Sequence, residues 1–160
     1  LEQGRTLPGF IGDISYAQSN RERYEGFCQA LADAGKKVDS SLCLTTPLGI
    51  DTYREEIDTF LSSLSRMPDA FVCASDYVAC ILMQLLEKRG LRVPEDVAVS
   101  GFDNNTEDLL AEHLTTVQVF NEELGARLAL QILYRIKYPN TPHEITYLGT
   151  NVLYRDSTGD

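Results

Sequence analysis

The chain has 160 residues, 43% hydrophobic and 24% charged, which suits one ordinary globular domain with a real core and excludes a disordered segment. Its 14 Lys and Arg against 24 Asp and Glu leave a formal charge of −10, a balance that repels phosphate backbones and argues against nucleic-acid binding by this chain itself. No apolar run is long enough to cross a bilayer and no signal-peptide pattern opens at Leu1, so a cytoplasmic location is expected.

The elements alternate in chain order. Phe10 to Ile14 reads as a short apolar strand. Asn20 to Ala34 follows with helical spacing, Tyr24, Phe27, Cys28, Leu31 and Ala32 sharing a face, and Gly35 sits where a helix ends in a left-handed residue. Val38 to Leu44 is a weaker strand. Asp51 opens a second helix with Ile57, Phe60, Leu61 and Leu64 as its stripe and Glu55 and Glu56 at its positive end. Met67-Pro68-Asp69 turns the chain into Ala70 to Ala74, an all-apolar strand. Asp76 to Arg89 is a third helix closed by Gly90, and Val97 to Phe102 the next strand. Strands apolar on both faces, alternating with helices, predict an α/β fold: a parallel sheet flanked by helices on both faces.

After Asp103 the rhythm breaks. Leu114 to Val119 is extended. Asn121 is placed to cap a helix running to about Tyr138, with Leu124, Leu128, Ile132 and Ile136 on one side. Pro139 to Pro142 stops it, and Glu144 to Tyr154 reads as a last strand-like segment.

Ligands of such sheets bind outside the carboxyl ends of the strands. Three polar groups fall at that edge: Asn20 to Arg23, Ser75-Asp76 and Asp103-Asn104. Little else carries chemistry. Cys28, Cys43, Cys73 and Cys80 show no metal spacing and no CxxC, and read as reduced, buried thiols. His113 and His143 lie in loops far from Ser75 in sequence, with no ligand spacing, so no metal is expected. No G-x-S-x-G, phosphate loop or dinucleotide fingerprint is present, so neither an enzyme nor a cofactor is expected. Asn104-Asn105-Thr106 matches a glycosylation triplet by composition alone.

Five stretches, in order, resemble the LacI/GalR family of bacterial transcription regulators. "RERYEGFCQAL" resembles its R-x-x-G-F-x-x-A-L, and "PDAFVCASDYVA" its P-[DT]-A-[IV]-x-x-x-[NS]-D-x-x-A. "VPEDVAVSGFDN" resembles I-P-x-D-[IV]-[SA]-[VI]-x-G-[FY]-D-[DN], "LTTVQVFNEELGARLALQIL" resembles L-T-T-[VI]-x-Q-x-x-x-E-[LM]-G, and "TNVLYRDST" the closing L-x-x-R-x-S-T. The resemblance implies one lobe of a periplasmic-binding-protein-like type I fold, mostly the C-terminal lobe of an effector-binding domain. It also implies a longer protein carrying a DNA-binding headpiece and a first lobe before Leu1. Residues 114–143 would then be a crossover and a helix that packs on that first lobe.

By the same resemblance Arg23, Asp103 and Ser75 contact the ligand, a sugar, polyol or purine-like molecule. Ser75 departs from the usual asparagine and equally suits a helix cap. Asp103 can accept two hydroxyl protons at once, or close an Asx turn on its own backbone. Asp76 complements a helix dipole. Val119 stands where a glutamine is common, leaving Gln118 or Asn121 as substitutes. With no tryptophan in the chain, stacking falls to Tyr16 or Phe102. A homodimer face is implied at Cys80, Met83, Gln84, Leu109 and Leu110, and DNA would be reached only through the headpiece. The alternative function is a lobe of a sugar-binding solute receptor for transport.

Overall fold

The computed structural model describes residues 4–49, 51–105 and 109–159. Four parallel strands form the sheet: β1 (Pro8–Ile11), β2 (Cys43–Leu44), β3 (Ala70–Cys73) and β4 (Ala98–Ser100), in the order β2-β1-β3-β4. β1 and β3 pair from Pro8↔Ala70 to Ile11↔Cys73, and β3 pairs β4 from Ala70↔Ala98 to Val72↔Ser100. Side chains alternate across the pleat. Phe10 joins Phe27 and Leu31 of α1 (Gln18–Asp33) on one face. Ile11, Phe71 and Cys73 join Ile57 and Leu61 of α2 (Tyr53–Ser63), and Val78, Leu82 and Leu86 of α3 (Asp76–Lys88), on the other. Helices thus cover both faces of the sheet.

Boundaries move where side chains compete for the backbone. β1 ends at Ile11, three residues before Ile14, because the chain turns onto Asp13, whose carboxylate accepts from the amides of Ser15 and Tyr16. The expected strand Val38 to Leu44 is reduced to Cys43–Leu44. The Asp39 carboxylate takes both the amide and the hydroxyl of Ser41 and winds Ser40–Leu42 into a single 3-10 turn. Gly35 and Gly90, at φ +68° and +72°, close α1 and α3 as expected. β4 is the short centre of the Val97 to Phe102 run.

Beyond β4 the strand β5 (Thr116–Gln118) pairs antiparallel with β6 (Asn151–Leu153), the ordered part of the expected Glu144 to Tyr154 segment. Two isolated parallel bridges, Ser100–Thr115 and Asp103–Gln118, lay this pair beside the exit of β4. Between them lies α4 (Asn121–Lys137), whose N-cap is Phe120, so Asn121 is the first helical residue rather than the cap. No residue of α4 is buried, and Leu128, Ile132 and Ile136 are 57, 51 and 73% exposed.

The cysteines form no disulfide. Cys73 and Cys80 are buried, but Cys28 of α1 and Cys43 of β2 are only half-buried, a correction to the expectation of four buried thiols. Among the described residues no helix is long and apolar enough to cross a membrane.

Candidate functional site

The carboxyl edge of the sheet is built from three loops. After β1, Gly12 lies so close to the next strand that an added Cβ would meet the Ala74 Cβ at 2.2 Å. Asp13 follows, 7% exposed. One of its oxygens accepts from the Ser15 amide at 2.7 Å and hydroxyl at 2.6 Å, and the other from the Leu48 amide at 3.3 Å. Burial pushes this carboxyl up, but those hydrogen bonds outweigh it and hold the group below its ordinary value. Asp13 therefore braces the loop. The Asn20 side-chain amide donates to its carbonyl at 2.9 Å and pins the start of α1 to it.

Arg23, one turn along α1, reaches across the edge. Its Nη1 donates to the Ala74 carbonyl, and its Nη2 faces Asp103 Oδ1 at 3.4 Å. The guanidinium carbon stands 3.7 Å from the centroid of the Phe102 ring. Side-chain exposure is 19% for Arg23 and 43% for Asp103, so the arginine is seated and the carboxylate stays open to solvent. Burial lowers the guanidinium, with Asp103 and Asp76 opposing, and burial raises the Asp103 carboxyl, with Arg23 opposing. The ion pair alone does not offset the desolvation of its members. Hydroxyl groups that donate to the carboxylate and accept from the guanidinium would, because each supplies the hydrogen bonds lost from water.

Asp103 and Asn104 both have positive φ, 113° and 54°, so the turn after β4 is an unusual one that side-chain contacts must hold. Among the other expected residues, Ser75 caps α3, its oxygen accepting from the Val78 amide at 3.3 Å. Tyr16 is at the same edge but 74% exposed. Phe102 offers one ring face to Arg23, so its role is a platform for the guanidinium rather than for a sugar on that face. Gln118 meets Asp103 through a backbone bridge, while Val119 is half-buried and Asn121 exposed.

The expected dimer positions separate. Met83 and Leu110 line a groove with Glu87, Leu91 and Val93, and Gln84 hydrogen-bonds Arg54. Cys80 is 3% exposed, in the same buried cluster as Cys73 and Leu82. Thr106 and the side chain of Leu109 lie outside the described residues. His113 pairs with Asp156 on the exposed surface at 2.7 Å. Among the described residues no three His, Cys, Asp or Glu are grouped to hold a metal.

The sequence reading missed a buried node beneath this edge. Asp76 is 2% exposed and does far more than complement a helix dipole. It accepts from the Thr116 hydroxyl at 2.6 Å and from the Asn105 amide at 2.8 Å. Arg155 spans the Ala111 and Leu114 carbonyls and the Asn104 side-chain oxygen, at 3.0, 2.9 and 2.8 Å. The only available sign was that Thr116 and Arg155 fall inside the matched motifs; neither spacing nor composition joins them to Asp76.

Residues 1–158 match the family described as periplasmic binding protein-like domain. The HTH-type transcriptional regulator DegA of Bacillus subtilis is 35% identical over 128 residues, 79% of this chain and 37% of that protein. The HTH-type transcriptional repressor PurR of Photobacterium profundum is 28% identical over 162 residues, 100% of this chain and 48% of that protein. A structure of the transcriptional regulator CelR in complex with cellobiose superposes with a TM-score of 0.87 at 29% identity, covering 98% of this chain and 48% of that one. The chain thus spans less than half the length of these relatives, which are transcription regulators and not enzymes. A parallel sheet covered on both faces, an arginine and an aspartate facing each other at its carboxyl edge, and a match over residues 1–158 lead to one assignment: the chain belongs to the periplasmic binding protein-like domain family, as part of the effector-binding domain of a LacI/GalR-type transcriptional regulator.

Proposed function

We propose that this chain senses a small neutral polyhydroxy effector, a sugar or polyol, for a cytoplasmic DNA-binding repressor that works as a homodimer. The observation that carries the reading is the Arg23–Asp103 pair, a planar fork of donors seated on Phe102 opposite a carboxylate that remains open to solvent. A guanidinium and a carboxylate side by side match the alternating acceptor and donor character of neighbouring hydroxyls. The cellobiose complex of CelR, a relative 29% identical to this chain, supports the same ligand class. Arg23, Asp103 and Ser75 are the contacts, with Tyr16 at the mouth and Phe102 holding Arg23 in place. Met83, Gln84, Leu109 and Leu110 lie on the face toward the second subunit.

The effector acts by population shift. Bound between this lobe and a second one, it favours one angle between them, and that angle sets the spacing of DNA headpieces across the dimer. This chain performs no chemistry.

The test is a thermal-shift panel of mono- and disaccharides, polyols, phosphosugars and purines on the full-length regulator, with Asp103→Asn alongside. A ligand at a hundred times its dissociation constant adds about 2.7 kcal/mol of stability. A sugar or polyol that shifts the wild type and fails to shift Asp103→Asn supports the reading. A purine or phosphosugar hit, or a sugar hit that survives Asp103→Asn unchanged, overturns it.

A further inference from the structure

The turn that presents Asp103 is held from below by groups that never reach the cleft. Hydrogen bonds from several elements converge on it. The Gly101 amide donates to the Thr115 carbonyl at 2.8 Å, and the Asp103 amide to the Val117 carbonyl at 2.9 Å. Between these rungs the Thr116 hydroxyl accepts from the Asn104 amide at 3.3 Å and passes its own proton to Asp76 Oδ1 at 2.6 Å. The second oxygen of Asp76 takes the Asn105 amide, and the Asp76 amide donates to the Phe102 carbonyl at 2.8 Å. Arg155 closes the ring by holding the Asn104 side chain. Gly101 is required here: an added Cβ would meet Asp76 Oδ1 at 2.2 Å.

Two things follow from these contacts. The positive-φ turn is over-determined, since each of residues 101–105 is fixed by a partner on another element. And the partners other than Asp76 of α3 come from two chain segments, 115–118 and the residues around Arg155, that carry the chain to and from the exposed helix α4. Resting on the ligand reading above, we infer that Asp76, Thr116 and Arg155 are positioning residues that latch the ligand-facing turn of Asp103 to both segments leading to α4. A ligand drawn against Asp103 then stiffens the two segments together, because a buried hydrogen-bonded ring has few ways to deform. Asp76 serves as the hub because a carboxylate accepts several bonds without a donor of its own to place.

The test compares Thr116→Val, which keeps the shape and removes the hydroxyl, with Thr116→Ser, which restores it, in the full-length regulator. Amide hydrogen exchange is followed by mass spectrometry in peptides covering 101–105, 115–118 and 151–155, with and without cellobiose as the probe, and cellobiose affinity is measured by calorimetry. Thr116→Val is expected to speed exchange at 101–105 at least about tenfold, the factor that goes with losing one bond to a buried charge, and to weaken cellobiose by a similar factor. Cellobiose should slow exchange at 115–118 and 151–155 in the wild type and not in Thr116→Val, and Thr116→Ser should behave as the wild type. Unchanged exchange at 101–105 in Thr116→Val overturns the latch, as does faster exchange with undiminished cellobiose affinity. If the wild type ignores cellobiose and every sugar of the panel, the ligand reading fails alone, and the exchange comparison still decides the latch.

Discussion

The guanidinium of Arg23 stacks on the Phe102 ring, its central carbon 3.7 Å from the centroid, and this contact together with the bond from Nη1 to the Ala74 carbonyl fixes the direction of the donors. The Asp103 oxygen is 3.4 Å away, long for a charged hydrogen bond, so the pair leaves lone pairs unused. A cation over an aromatic face contributes about 0.5–2 kcal/mol. Phe102→Leu is therefore expected to weaken ligand binding by about tenfold. The melting temperature without ligand should change little by comparison, since the ring is only partly covered. Calorimetric titration beside a thermal melt separates the two. Equal losses in both would make Phe102 an ordinary packing residue.

Asp103 works in a backbone conformation that glycine would tolerate better. At φ 113° a side chain costs about 1–3 kcal/mol relative to glycine, less what glycine loses in conformational entropy. Its ion pair is half exposed and returns little of this. Asp103→Gly should then be about 1 kcal/mol more stable than Asp103→Ala, and no less stable than the wild type, while both variants lose the ligand response. Chemical denaturation ranks the three. A glycine variant less stable than the alanine one would show that the positive φ carries no cost.

Much of the fold was legible because its signals are local. Leu31 and Phe27, Ile57 and Leu61, and Leu82 and Leu86 recur at helical spacing, and Gly35 and Gly90 stand at left-handed ends. What failed was equally physical. Val38 to Leu44 looks extended by residue type, yet Asp39 reaches Ser41 first and a turn replaces most of the strand. Asn121 is a good cap by type, but Phe120 occupies that position. At the site, the strand–helix alternation put Arg23 and Asp103 at the sheet's carboxyl edge, the resemblance gave them a ligand role, and the structure brings them together. Asp76 could not be read as a hub, since Thr116 reaches it, and Arg155 reaches the neighbouring Asn104, only through the closeness of β4, β5 and the segment after β6. The fit of Gly101 beneath it depends on the same approach.

Asp13 sets an acid limit on stability. Despite burial, hydrogen bonds from Ser15, Leu48 and Tyr16 hold its folded-state value below the ordinary one. The native chain therefore favours the ionised form more than the unfolded chain does. That contribution is present above the ordinary carboxylate value near 3.8, and is lost as pH falls through the lower folded value. Asp13→Asn should lose about 1–3 kcal/mol at pH 7, because its amide faces the Leu48 N–H with a donor. It should also show a shallower fall in stability on acidification. Urea midpoints at pH 7 and pH 3 read both effects. Parallel losses on acidification in wild type and variant would remove Asp13 from the acid response.

Among the described residues none buries the apolar side chains of helix α4. Leu124, Leu128, Ile132 and Ile136 are 48, 57, 51 and 73% exposed, and Leu130 and Leu133 widen the patch to 61 and 64%. A monomeric surface rarely keeps so broad an apolar face in water without a use for it. If α4 docks on a first lobe, as the family resemblance implies for residues 114–143, its cost of exposure vanishes in the whole protein. Leu128→Glu with Ile132→Glu should then have opposite consequences in the two settings. In the 160-residue chain the pair removes exposed apolar surface, so stability should stay within about 0.5 kcal/mol and solubility should rise. In the full-length regulator the same pair buries two carboxylates, and each should cost at least about 2 kcal/mol. Denaturation of both proteins, wild type and variant, makes the comparison. A variant that is neutral in both would leave α4 facing water in the complete protein, and the docking of this helix on a first lobe would be wrong.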